Sequence, residues 1–428
     1  MRLLSRIATF AFFPIWGWLA FPQIVLYFYV FTLPLEGLFA IEGLFTLSKG
    51  LMALFLLVQA TRVRRPKIPW LPALLLTWRQ VPRFRISLLA VVLLFWVFLS
   101  YFWSSNPSAT WDRIQVLVQQ VVGALLIAFF VFSRPKTLVP LMFFYSLGAL
   151  IAASVGIVNY WQNPLNRTTF AGSADAADFA AVALLGALLG LGLWLVTTRH
   201  LLRWYGILCF VICTLGVVLS GTRSAWVAII ATLSFLILPR LGWKRMLLLL
   251  LVLGVIVVSL SQLPAVGQFL AYRVDSAGDS GGAGRTAIWL VGFELVERNP
   301  FFGNGFGTFV ALFDQGVAAR SALESIDTYY IIDGRGAHNI YLELLSEIGL
   351  VGLGIFLVWI MLLLQVSMRQ AVHPDLILIL KACLLAYLIQ GAFLGILERK
   401  YLWLTIGLLH GLAMMTRGYF YASINSKP

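Results

Sequence analysis

Charge is scarce in this chain: only 11% of its 428 residues are charged, with 17 acidic side chains against 31 Lys and Arg. A soluble globule of this length carries roughly a quarter charged residues, so that class is excluded. Cysteine is nearly absent. Cys209, Cys213 and Cys383 lie inside apolar runs with no CxxC spacing, which excludes a disulfide framework and a cysteine-based metal site. Histidine occurs four times, at 200, 338, 373 and 410, and does not cluster with cysteine. No internal repeat is visible. The apolar run after Arg6 lacks an Ala-x-Ala-like cleavage site and continues past Pro14 and Pro22 to about Leu33, so it is expected to stay in the mature protein as the first span.

Hydrophobic residues make up 61% of the chain and aromatic ones 14%, with a mean hydropathy of +0.92. An all-α integral membrane protein is expected, because helices close their own backbone hydrogen bonds in hydrocarbon. Windows long enough for a bilayer core occur near 7–33, 37–60, 86–103, 114–132, 138–160, 176–196, 204–220, 224–238, 244–262, 349–367, 376–397 and 400–418. That is about twelve spans. They read as one continuous membrane domain, with spans over 1–262 and 349–428 and a long periplasmic loop over 263–348 carrying short helices.

The net charge of +14 invites a nucleic-acid reading, but the distribution of Lys and Arg argues for topology. Basic residues collect at the N-terminus, between Arg62 and Arg85, and around Arg134, Arg199, Arg240 and Arg369, then again at Arg417 and Lys427. The alternate loops hold only Arg113, Arg167, Arg223, Arg399 and Lys400 outside the long loop. Both termini are therefore expected in the cytoplasm. Trp103, Trp161, Trp204 and Trp403 near span ends are expected to form an interfacial belt. Lys49 and Lys381 are expected to lie nearer span ends than centres.

The loop from about Leu263 to Ala337 differs in kind, being rich in glycine and mixed in charge. Ile288, Trp289, Gly292, Leu295 and Val296 recur at helical spacing before the stop at Asn299-Pro300. A second short helix is expected over 340–348, with Asn339 as N-cap and Gly349 as breaker. Gly303, Gly305 and Gly307 lack the strand-turn-helix context of a nucleotide loop and are assigned to turns and close packing.

Three side chains at the outer boundary are suited to chemistry. Arg223 sits in a connection too short for snorkelling, among small residues, and its planar fork suits paired phosphate oxygens. Arg285 precedes the amphipathic helix, whose free N–H groups favour anions, although a solvated loop arginine fits equally well; Arg273, Arg320 and Arg335 compete for the role. His338 is the single histidine of the outer side, and a neutral imidazole accepts a hydroxyl proton near pH 7. A structural histidine at a helix start is its alternative. Glu343 and Glu347, one and two turns along, either orient substrate or face water, and the water-facing reading is favoured.

The strings Gly-Thr-Arg-Ser-Ala-Trp at 221–226, Gly-Arg-Thr-Ala-Ile-Trp through Asn-Pro-Phe-Phe-Gly-Asn-Gly-Phe-Gly at 284–307, and His-Asn-Ile-Tyr-Leu-Glu-Leu-Leu-Ser-Glu-Ile-Gly-Leu-Val-Gly at 338–352 resemble the O-antigen ligase and polymerase superfamily of bacterial envelope glycan enzymes. The likeness is close over about 215–360. It implies an inner-membrane glycosyltransferase that moves a glycan from undecaprenyl diphosphate to an acceptor hydroxyl at the periplasmic face. Ligation to lipid A-core is the leading acceptor. Arg223 and Arg285 would hold the diphosphate and His338 would act as base, while Glu343, Asn339 and Tyr341 are candidates for orienting substrate. Two cations can neutralise a diphosphate leaving group, so no metal or other cofactor is expected, and attack from the opposite face inverts the anomeric centre. A polysaccharide polymerase and a protein O-oligosaccharyltransferase share the same strings. A solute transporter, such as the bicarbonate carriers some relatives are labelled as, is the rival from another class and predicts ionisable mid-span residues in paired halves.

Overall fold

The computed structural model describes residues 21–41, 45–62, 84–162, 175–262, 267, 285–319, 336–365 and 374–414. These residues form the expected all-α membrane fold. Eight helices among them are long and apolar enough to cross a bilayer, and shorter apolar helices cover Leu47–Val58 and Arg223–Leu238. The start of the first window, most of the basic segment between Arg62 and Arg85, both termini, and Arg273, Arg320 and Arg335 lie outside the described residues.

Helix α1 covers residues 21–32 and tightens into a 3-10 stretch at Leu33–Phe39. A hairpin of two-residue strands, β1 (Ala40–Ile41) and β2 (Phe45–Thr46), then precedes α2 (Leu47–Arg62). The second span therefore begins later than its hydropathy window at 37. Next come α3 (Phe84–Leu99), α4 (Pro107–Ser133), α5 (Leu138–Gln162), α6 (Ala176–Val196) and α7 (His200–Leu219). Helix α4 starts well before the expected 114, because Asn106 caps it and Pro107 stands at its first position, where a missing N–H costs nothing.

The windows at 224–238 and 244–262 form one run, α8 (Arg223–Ser261), broken at Gly242 where φ is +73°. Two short helices, α9 (Arg285–Arg298) and α10 (Phe309–Ala319), lie between the spans. Helix α9 ends at Asn299-Pro300, as its periodicity predicted. Helix α11 (Ile340–Leu364) bends at Gly349, where φ is +70°, so the capped segment 340–348 and the following span are two rods in one helix. Helix α12 (Pro374–Gly391) stops short of the expected 397, and α13 (Lys400–Ala413) closes the described chain. With α12 so bounded, Lys381 falls near its middle and is buried, which corrects its placement near a span end.

Helices α6, α12 and α13 occupy the centre, with α3 and α7 more exposed. Small residues permit the tight α6–α7 contact: a side chain at Gly190 would meet the carbonyl of Gly206. One contiguous apolar cluster joins α1 to α13. A second joins Ile288, Val291 and Leu295 of α9 to Phe309 and Phe313 of α10 and to Ala337, so the segment between spans has its own core. Trp161 and Trp204 are each 69% exposed, as an interfacial belt requires. Trp403 is only 2% exposed and donates to the Leu397 carbonyl, which removes it from that belt.

Candidate functional site

Connections that the Lys and Arg pattern assigns to one side meet at one end of the bundle. The glycine-rich turn after α9 ties several of them together. Asn304 donates through Nδ2 to the carbonyls of Leu295 (2.8 Å) and Ser346 (2.9 Å), while its own carbonyl accepts from the Ser105 N–H. Gly303, Gly305 and Gly307 all have positive φ, and a Cβ on them would strike the Glu347 backbone, Ser104 and Arg113 respectively. Only glycine lets this turn lie flat between α4 and α11. The turn-and-packing assignment from sequence holds.

His338 precedes α11 with φ +47°, the single non-glycine residue at positive φ among those described. Asn339 then caps the helix, its side-chain oxygen accepting from the N–H groups of Tyr341 (3.0 Å) and Leu342 (3.1 Å). The Tyr341 hydroxyl donates to the Leu388 carbonyl on α12 at 2.8 Å. Trp289 of α9 donates to the Ala337 carbonyl at 3.2 Å, fixing the residue before the histidine. Arg285, the first residue of α9, lies with its guanidinium 5.9 Å from the centre of the Phe393 ring, which also packs against Trp289.

Next to Phe393, residues 394–399 leave α12 and wall a cavity of about 330 Å³. His338, Glu343, Arg113, Asp175, Glu398 and Arg399 line it. Arg113 forms ion pairs with Glu343 (2.5 Å) and with Glu398, and Arg399 pairs with Asp178 at 2.6 Å. Behind Glu343, Glu347 is almost fully buried and accepts from the Phe309 N–H. Arg223 and Arg285 do not line the cavity; next to Arg223, Thr222 donates to the Ala176 carbonyl at 3.2 Å, one residue from Asp175 of the cavity wall. The cavity is thus polar and of mixed sign, with His338 in its lining, Arg285 beyond one aromatic ring and Arg223 beyond one backbone contact. Such a space offers hydrogen-bonding partners to a hydroxyl-rich molecule.

The family model described as O-antigen ligase matches residues 208–357, from within α7 to within α11. That match supports the resemblance of this segment to the O-antigen ligase and polymerase superfamily. The segment contains Arg223, Arg285 and His338 and the whole Gly303–Gly307 turn. No curated protein matches the chain. The chain is a multi-pass membrane protein in which residues 208–357 are similar to the O-antigen ligase family.

Most of the cavity wall comes from outside the matched segment. Arg113, Asp175, Glu398 and Arg399 are supplied by α4, the start of α6 and the turn before α13. Sequence reading counted Arg113 and Arg399 as loop charges only; the Asn106-Pro107 cap shows that Arg113 stands on a helix, but nothing local names its partners. Glu343 and Glu347 do not face water. Both are buried, because the first two turns of α11 pack beneath α9, α10 and the glycine turn instead of lying on the surface. Of the residues suggested for orienting substrate, Glu343 lines the cavity, whereas Asn339 and Tyr341 hold α11 in place.

Proposed function

We propose that this protein transfers a glycan from a polyprenyl diphosphate to an acceptor hydroxyl in the His338 cavity, at the non-cytoplasmic membrane surface. The cavity's lining supports the reading, with a histidine and carboxylates able to bind sugar hydroxyls, while Arg285 and Arg223 stand outside the lining at the starts of two separate helices. His338 accepts the acceptor's proton as its oxygen attacks the anomeric carbon. The bond from that carbon to the diphosphate breaks, and Arg285 and Arg223 offset the charge left on the departing group. Back-side attack inverts the centre. The resemblance favours lipid A-core as acceptor, with polymerisation and protein O-glycosylation as the other members of the set.

The test is transfer by purified protein from undecaprenyl diphosphate glycan to candidate acceptors, comparing wild type with His338→Gly. Glycine relaxes the positive φ, so the variant is expected to unfold at no lower temperature. Transfer is expected to drop by about 10²- to 10⁴-fold, the usual contribution of a general base. Equal transfer by both proteins would remove the histidine mechanism. The buried, mid-helix Lys381 keeps one feature of the transporter reading in view. Solute uptake into proteoliposomes free of lipid-linked sugar would favour that alternative.

A further inference from the structure

A second cavity, of about 280 Å³, lies on the other side of the segment Glu398–Lys400, between α2, α4 and α13. On α2 the lining runs from Lys49 through Met52 to Leu56; on α4 it runs from Val118, Gln119 and Gln120 through Val122 to Ile127; on α13 it runs from Lys400 to Leu404. Lys49, Gln119, Gln120 and Lys400 supply polar groups at the end that meets the Glu398–Lys400 segment, and the lining beyond them is mainly apolar. Leu56, Val118 and Val122 are exposed at its open side, the side that faces lipid if these helices span a bilayer.

Among the described residues, the charges at the polar end leave one cation over. Lys400 pairs with Glu36 and donates to Ser48 at 2.7 Å, so those two charges offset each other. Lys49, exposed and on the same lining, adds a further positive charge. Gln120 donates to the Glu398 carbonyl at 3.2 Å, which closes the polar end against the His338 cavity.

From Lys49 to Leu56 the wall descends about 10 Å at the helical rise of 1.5 Å per residue. The groove is apolar along that depth and open to one side, a shape that a single hydrocarbon chain fits. We propose that this groove binds one acyl chain of an anionic lipid, with the lipid phosphate beside Lys49. The site is separate from glycan transfer and does not depend on it.

The experiment uses full-length protein in nanodiscs containing trace phosphatidylglycerol with a photoreactive diazirine on its acyl chain, against the same probe on phosphatidylcholine. Labelled peptides are mapped by mass spectrometry. Labels are expected on residues 52–56 and 118–127, about fivefold more from the anionic probe, the ratio that one lysine at a membrane surface supplies. Lys49→Glu is expected to reduce the anionic label to the phosphatidylcholine level. Ala53→Trp, which fills the groove, is expected to remove both. Equal labelling by the two headgroups in wild type overturns the proposal, as does label spread evenly onto Leu208 and Val211 of α7, or a Lys49→Glu signal equal to wild type. The comparison of the two probes on wild type needs no variant to fold, and the probe carries no glycan, so the outcome is independent of what the enzyme transfers.

Discussion

Arg113 shows how much one side chain can hold together. Its guanidinium bridges Glu343 on α11 and Glu398 before α13, and is itself partly solvated, with 27% of its side chain exposed. Removing one member of a buried pair leaves the other charge uncompensated, which costs more than the pair contributes. Arg113→Ala is expected to lose about 3 kcal/mol, the low end for such a break because of the partial solvent access. Thermal unfolding in detergent measures it, and Arg113→Ala combined with Glu343→Gln is expected to recover part of the loss. An unchanged midpoint in the single variant would show that the cluster is not a structural clamp. The sequence singled out Arg223, Arg285 and His338 because each stands in a short string with a local rationale. Arg113 has none, since its meaning lies in a carboxylate 230 positions away.

At the scale of elements, local chemistry was legible wherever a cap or breaker is written in consecutive residues. Asn339 and Gly349 bound the first rod of α11 as the sequence indicated. The 3-10 stretch and hairpin at 33–46 were not legible, nor the turn at 392–399, because Ala392, Phe393 and Leu394 are as apolar as the helix they leave. Hydropathy measures solvent preference and is blind to where a backbone stops winding. The bend at Gly349 sets the angle between the site-bearing rod and its span, and a Cβ there would lie 2.1 Å from the Phe301 carbonyl oxygen. Gly349→Ala is expected to cost at least about 2 kcal/mol from the left-handed backbone and the clash together. It is also expected to lower transfer, because Glu343 and the residue after His338 move with the rod. Asn339→Ala, which removes only a cap, is expected to cost about 1 kcal/mol. A Gly349→Ala protein as stable and active as wild type would mean that the bend is incidental.

For the whole molecule, alternating basic loops predicted which connections lie together, and Arg113, Asp175, Ala337 and Glu398 do gather at one end. The orientation of that end in the membrane is a prediction of its own. Ser108 and Thr198 are exposed near opposite ends of the bundle, and Cys209, Cys213 and Cys383 are buried, so new surface thiols stand out against a quiet background. In intact cells stripped of their outer membrane, Ser108→Cys is expected to react with an impermeant maleimide and Thr198→Cys only after permeabilisation. The reverse pattern would invert the orientation and move the proposed chemistry into the cytoplasm. The cavity's divided origin carries one more implication, for biosynthesis. A ribosome delivers Arg113 early, while Glu343 follows some 230 codons later and Glu398 later still. A nascent chain halted before the final hairpin is threaded therefore has only part of the cavity wall, and the proposed transfer is expected to begin only once residues 394–399 are in place.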